Sequence, residues 1–302
     1  MGASFAQIFA AKGFAVIVYD KGEHFLEKGR SLIDINQRGL VEEGELTKEQ
    51  SAQVMARISY TLQQDCFAAA DFVVEAILED LAVKQSFFAE ITQIMKPDAI
   101  LTSNTSGLSI TTLSQGLEHP GRFCGMHWLN PPHLLPLVEV ISGENTHPET
   151  LETVCEMAVL LGKKPVRVKD SPGFIINRIQ FAILREAMHI VDNGIATMED
   201  VDNVFKYGLG LRYACMGPFE IADFGGVDTF YHIASYLFPQ LSNTGEVSNI
   251  LAGAYQDSRY GVKSQRGFYD YTHGQDIRAI EKRDADYLKL VRCMYMEDLN
   301  EK

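Results

Sequence analysis

The sequence predicts a doubly wound α/β sheet over residues 1–169 followed by an all-helical domain over 170–302. Three observations carry that expectation. Short β-prone runs alternate with helix-prone segments through the first half, as they do where helices cover both faces of a mostly parallel sheet. The β-prone runs stop at Asp170-Ser171-Pro172-Gly173, a Pro/Gly joint of the kind that separates domains. A length of 302 residues suits two domains, each able to bury its own core.

Taken in order, Phe5, Ile8 and Phe9 recur at helical spacing, and Gly13 follows where a left-handed C-terminal cap belongs. Phe14 to Tyr19 (FAVIVY) is a continuous β-prone run, suited to a strand buried on both faces. Residues 23–57 are polar and helix-prone, broken at Glu43-Gly44-Glu45, and read as a helical hairpin leaving the sheet. Alternation resumes with ISYTL (58–62), FVVEAI (72–77), a helix over 83–95, AILTS (99–103), FCGMHW (123–128), PLVEVI (136–141), a helix over 149–161 and PVRVK (165–169). Helical segments near 175–193, 198–207, 218–237, 246–256 and 276–296 make up the second domain.

Composition narrows the function classes. With 46% hydrophobic and 22% charged residues the chain is neither disordered nor fibrous. A formal net charge of −13 repels phosphate backbones, so nucleic acid is not expected as a partner. A helix terminus can still hold an anionic small molecule at short range. Cys66, Cys124, Cys155, Cys215 and Cys293 form neither a CxxC pair nor a zinc-spaced cluster, so they read as reduced thiols of a cytoplasmic protein with no metal site. No basic stretch leading into an apolar run opens the chain, and uncharged apolar runs never approach about 18 residues, so neither export nor a membrane span is expected.

A Rossmann fingerprint brings bare backbone amides and a helix N-terminus onto a pyrophosphate, and an acid after the second strand onto a ribose hydroxyl. Gly2 stands where the third glycine of GxGxxG would be, and Asp20 ends the following strand. The first strand and the first two glycines are expected upstream of Met1. An acid at Asp20 would repel a 2′-phosphate and select NAD over NADP. The same two residues also suit a plain terminal glycine and a strand-end turn acid.

GMHWLNPPHLLPLVEVI puts His127 at the end of one strand and Glu139 inside the next. Alcohol dehydrogenation needs a base for the hydroxyl proton, and imidazole titrates near neutral pH. A carboxylate on its other nitrogen fixes the tautomer. A core histidine and an edge-strand acid are the alternatives, although Glu139 lies between Val138 and Val140 in a run apolar enough to be buried, where a carboxylate needs a partner. Ser106 in SNTS follows a strand, so it belongs at the ligand-binding edge of the sheet or in a local turn. Asn177 lies one turn into the helix after DSPGF, near the domain joint or on a helix polar face.

In order and spacing, MGASFAQIFA, VIVYD, ADFVVEAILED, SNTSGLSI, GMHWLNPPHLLPLVEVI, KDSPGFIINR, MGPFEIADFGGVDT and GVKSQRGFYDY resemble the short-chain L-3-hydroxyacyl-CoA dehydrogenase family along nearly the whole chain. The resemblance implies a Rossmann NAD domain joined to a helical dimerisation domain, a homodimer, and reversible oxidation of a 3-hydroxyacyl thioester to the 3-keto form. It makes His127 the general base, Glu139 its carboxylate partner, Ser106 and Asn177 the hydrogen-bonding groups for the reacting oxygen, and Asn130 a support. It also implies NAD contacts at Gly2, Asp20, Glu79, Lys84 and Ser106. GPFE (217–220), Asp223 and GVDT look like a packing and dimer element, and GFYDY (267–271) like core.

Two features bear on the substrate. Glu43 and Glu45 in VEEGEL stand where many relatives carry lysines near the CoA tail, and acids attract a nucleotide diphosphate less well. Trp128 and His133 in HWLNPPH are similar to relatives that oxidise alcohols without CoA, where His133 would be a second acid/base or an anion contact; a solvent-facing loop histidine is the alternative. Two other functions therefore stand beside the acyl-CoA reading: an NAD dehydrogenase for a free hydroxy acid or alcohol, and a catalytically silent, crystallin-like or truncated homologue.

Overall fold

The computed structural model describes residues 1–42 and 44–295; Glu43 lies outside the described residues. The described residues divide into one unit over Met1–Asn177 and a second over 178–295, the division falling just inside the helix that follows Pro172-Gly173.

The first unit opens with α1 (Gly2–Ala11), which stops two residues before Gly13, whose φ of +93° a side chain would resist. β1 (Val16–Tyr19) follows, then the hairpin of α2 (Glu23–Glu42) and α3 (Lys48–Ala56). Thr47 and Gln50 form a reciprocal capping box that starts α3. β2 (Ile58–Thr61), β3 (Phe72–Glu75), α4 (Leu81–Thr92), β4 (Ile100–Ser103), α5 (Ile110–Leu113), β5 (Phe123–Trp128), β6 (Leu137–Ser142), α6 (Pro148–Leu160) and β7 (Lys164–Lys169) complete the alternation. Asp80 caps α4 by accepting the Val83 amide at 2.9 Å, and Pro148 opens α6 where its missing N–H costs nothing.

The strands form two sheets, one of β1 and β2, the other in the order β3-β4-β5-β6-β7. β3, β4 and β5 run parallel, and β6 reverses against β5. Eight residues separate β5 from β6 (129–136), too few for the crossover a parallel partner requires. α1 ties the sheets together with two faces. Ala6 and Ala10 pack with Val16, Val18, Ile33, Val54 and Ile58 on the two-stranded side. Phe5 and Phe9 enter the cluster of Ile100, Met126, Trp128, Val138 and Val140 on the five-stranded side. FAVIVY is therefore not buried on both faces as expected: helices cover the Val16 and Val18 face, while Ile17 on the other is 45% exposed.

Beyond α7 (Ile176–Asp192), the second unit holds α8 (Met198–Val204), a π turn at Phe205–Leu209, α9 (Gly210–Cys215), α10 (Pro218–Gly225), α11 (Val227–Leu237), α12 (Asn249–Gln256) and α13 (Gln275–Met294). On the single chain its aromatic side chains lie open: Phe219 is 87% exposed, Phe224 84% and Tyr207 80%. GFYDY is not core here. Phe268 and Tyr269 are exposed because the segment sits on a tight bridged turn, where Tyr269 turns its hydroxyl out to Asp202 at 2.8 Å. Among the described residues no helix is long and apolar enough to cross a membrane.

Candidate active site

The reversal of β6 builds the centre of the site. Antiparallel register sets His127 directly opposite Glu139, so both side chains leave the same face of the sheet. His127 Nδ1 lies 2.8 Å from Glu139 Oε2, with the residues 4% and 1% exposed. The other carboxylate oxygen accepts the amides of Ile175 at 2.9 Å and Ile176 at 3.0 Å, the residue before α7 and its first residue. Burial pushes the Glu139 carboxyl up, but the imidazole and these two amides outweigh it and hold the group below its ordinary value. Phe174 walls the pair: it is 1% exposed, its ring centroid is 5.6 Å from that of His127, and its φ of +52° is one a bulky residue seldom adopts.

The loop after β4 supplies the next groups. Asn104 Oδ1 accepts the Trp128 amide at 2.9 Å, tying this loop to the strand end that carries His127. The Asn177 side-chain amide donates to the Ser106 carbonyl at 2.7 Å, so these two expected site residues meet. Asn130 stands apart among the described residues, exposed in the loop after β5 and hydrogen-bonded to none of the other four. That loop is clamped by Lys163, whose ammonium donates to the carbonyls of Pro132 at 2.6 Å and Leu135 at 3.0 Å; burial pushes its pKa down to about 8. Trp128 faces the core, its ring 5.0 Å from that of Phe5, while His133 is exposed.

The dinucleotide side gathers at the carboxyl edge of the strands. Phe5, in the first turns of α1, meets Trp128 at the end of β5, and Phe9 meets Phe72 at the start of β3, so α1 runs against these strands with its N-terminus at their carboxyl ends. That terminus has no acidic residue in its first turn and only open space around Gly2, which suits an anion drawn close to the backbone. Asp20 follows β1, half-buried. Glu79, 43% exposed at its side chain, accepts the Thr105 hydroxyl at 2.6 Å and the Ser106 amide at 2.8 Å. Burial pushes its carboxyl up, and these donors with Lys84 bring it below its ordinary value. Lys84 is turned inward: it is 1% exposed, 2.5 Å from Glu75 and 3.3 Å from Glu79. Gly2, Asp20, Glu79 and the Ser106 loop fit a dinucleotide, whereas Lys84, expected to touch it, has almost no exposed surface to do so because Glu75 and Glu79 draw its ammonium inward. Among the described residues no cluster of three His, Cys, Asp or Glu side chains could hold a metal ion.

Sequence reasoning did not find the Ile175 and Ile176 amides, Phe174, Lys163 or Glu75. Backbone donors have no residue signature, although Pro172-Gly173 before a helix marks where such a nest forms.

A layered α/β sheet with a helix N-terminus at its carboxyl edge, followed by a helical domain, defines the chain as an NAD-dependent dehydrogenase. Residues 1–171 match the family model for the 3-hydroxyacyl-CoA dehydrogenase NAD binding domain, and residues 173–271 that for the 3-hydroxyacyl-CoA dehydrogenase C-terminal domain. The chain belongs to the 3-hydroxyacyl-CoA dehydrogenase family. It is 41% identical over 272 residues to a probable 3-hydroxybutyryl-CoA dehydrogenase of Deinococcus radiodurans, covering 90% of this chain and 96% of that protein. It is 34% identical over 293 residues to the 5-formyl-3-hydroxy-2-methylpyridine 4-carboxylate 5-dehydrogenase of Mesorhizobium japonicum, covering 97% and 94%. A solved structure of an enzyme of that second name, described as an NAD+-dependent dismutase, superposes with a TM-score of 0.90 at 32% identity over 98% of this chain and 96% of that one. The (S)-3-hydroxybutyryl-CoA dehydrogenase of Ralstonia eutropha superposes with a TM-score of 0.76 at 32% identity over 90% and 95%.

Proposed function

We propose that this chain reversibly oxidises the 3-hydroxyl of a short-chain 3-hydroxyacyl-CoA to the ketone, 3-hydroxybutyryl-CoA being the simplest such substrate. The observation that carries the reading is the buried His127–Glu139 pair, 2.8 Å apart, on the strand end that Asn104 ties to the Ser106 loop. With its Nδ1 proton directed at Glu139, His127 takes the hydroxyl proton on Nε2, and the carboxylate stabilises the imidazolium that forms. Ser106 and Asn177 hold the reacting oxygen as its charge develops, with Asn130 in support. NAD, when bound, supplies the hydride acceptor. Gly2, Asp20, Glu79 and Ser106 would hold it, with Lys84 acting through Glu79.

On this reading the NAD domain ends at 169 and a substrate and dimerisation domain runs over 170–302. The protein is a cytoplasmic homodimer in which a second copy covers Phe219, Phe224 and Tyr231; their exposure on one chain supports that assembly. A second reading, the same chemistry on a hydroxy acid or alcohol without CoA, is favoured by one observation. The pyridine-carboxylate dehydrogenase superposes at 0.90 over 98% of the chain, the hydroxybutyryl-CoA enzyme at 0.76 over 90%. NADH formation with 3-hydroxybutyryl-CoA, free 3-hydroxybutyrate and a pyridine-ring alcohol or aldehyde, compared at equal concentrations, separates the two. Turnover of the CoA ester supports the first reading, and turnover confined to the others replaces it with the second. No turnover of any of them, with no NAD binding by titration, leaves the silent homologue.

A further inference from the structure

Glu75 and Lys84 form the most deeply buried ion pair among the described residues, with side chains 0% and 1% exposed. Such a pair is weak as a source of stability, since well-packed apolar residues of similar volume commonly do as well. What it does instead is set by where its remaining bonds go. Glu75 Oε1 accepts the Lys84 ammonium at 2.5 Å and the Ile77 amide at 2.6 Å. Glu75 Oε2 accepts the Ser103 hydroxyl at 2.6 Å.

A carboxylate only accepts, so the Ser103 proton must point at Glu75, which turns a Ser103 lone pair to the Thr105 amide, 3.2 Å away. Lys84 then reaches Glu79 at 3.3 Å, and Glu79 takes the Thr105 hydroxyl and the Ser106 amide. Two chains of bonds that begin at one buried carboxylate thus end on adjacent residues of the loop that carries Ser106. The backbone adds a third, from the Asn104 amide to the Glu75 carbonyl at 2.9 Å.

We propose that Glu75 is a positioning residue of this dehydrogenase, orienting the Ser103–Ser106 loop through Ser103 and through Lys84–Glu79 so that Ser106 meets the reacting oxygen. The proposal rests on the functional reading above for the role of Ser106. Glu75 touches neither substrate nor cofactor.

The test is Glu75→Gln, which keeps the volume and removes the all-acceptor carboxylate, combined with Ser106→Ala in a double-mutant cycle. A misplaced contact of this kind lowers kcat by about ten- to a hundredfold. NAD affinity, measured by titration, falls by less than kcat, because only the Lys84–Glu79 arm serves the cofactor while both arms serve the reacting geometry. Adding Ser106→Ala to Glu75→Gln then brings no further loss, since both changes act through one hydroxyl. In NAD-free protein, amide hydrogen exchange at Thr105 and Ser106 quickens while the β3–β4 ladder keeps its protection.

Should Glu75→Gln fail to fold, Ser103→Ala cuts the first chain and leaves the ion pair intact; the same local rise in exchange at Thr105 is expected. The proposal is overturned by a kcat within about twofold of wild type, by losses that multiply in the cycle, or by exchange that rises evenly along β3 and β4. Absence of turnover in the wild type would instead defeat the functional reading, and the exchange measurement would still decide whether Glu75 orders the loop.

Discussion

Replacing Glu139 by glutamine tests the centre of the site most directly. The carboxylate is 1% exposed and receives three donors, the imidazole at 2.8 Å and the amides of Ile175 and Ile176 at 2.9 and 3.0 Å. Glutamine fills the same space but brings one accepting and one donating end. The two backbone amides can only donate, so the amide oxygen must turn to them and the NH2 group must face His127 Nδ1. That inverts the tautomer, moving the ring proton to Nε2, and the nitrogen meant to take the hydroxyl proton can no longer accept it. The comparable inversion in a Ser-His-Asp hydrolase costs about 10⁴-fold in kcat, and positioned general-base catalysis is worth about 10²–10⁴-fold. We expect kcat to fall by about 10³-fold, about 4 kcal/mol of barrier, with NAD affinity unchanged. Initial rates of NADH formation, alongside NAD titration and circular dichroism of the folded variant, give the answer. A folded Glu139→Gln enzyme that keeps more than about a tenth of wild-type kcat would refute the tautomer argument.

Three further outcomes follow from the same geometry. Asp20→Asn should weaken NAD by about tenfold and narrow the preference over NADP, because a charged acceptor for a ribose hydroxyl is lost; an unchanged NAD/NADP ratio in parallel titrations would remove Asp20 from the site. Phe88, 0% exposed with its ring 5.3 Å from that of Phe123, should cost about 3–5 kcal/mol when cut to alanine, read from urea unfolding; a loss under about 1 kcal/mol would contradict the packing of α4 on the sheet. The carboxyls of Glu139 and Glu79 both sit below their ordinary 4.5 in the folded chain, so on acidification the unfolded chain binds their protons first. The stability they contribute is complete above 4.5 and lost as the pH falls through the lower folded values; Glu139→Gln should flatten that acid limb in thermal melts, and an unchanged limb would count against the assignment.

Much of this was legible in residue order. An acid between two valines in LVEVI announces a buried carboxylate in want of a partner, and Glu139 has one in His127. Asn177, expected one turn into the helix after DSPGF and found as its second residue, does reach Ser106. What failed were inferences about environment. A lysine on a helix after a strand reads as reaching cofactor phosphate or substrate, or else as a solvated charge, yet Lys84 is buried, because Glu75 lies within reach of it and no local pattern encodes that. FAVIVY reads as doubly covered, but coverage depends on which sheet a strand joins, and β1 joins a two-stranded one. The aromatic residues of GFYDY announce a core, although a tight bridged turn holds two of them outward.

The pairing of acid and base across β5 and β6 has an evolutionary consequence. Main-chain ladder bonds, not the intervening stretch 129–136, keep His127 opposite Glu139, so on the proposed reading the side chains of that stretch other than Asn130 can vary without moving the pair. On that reading one scaffold meets new alcohols through changes at the exposed positions of this connection, with the pairing across the two strands inherited unchanged.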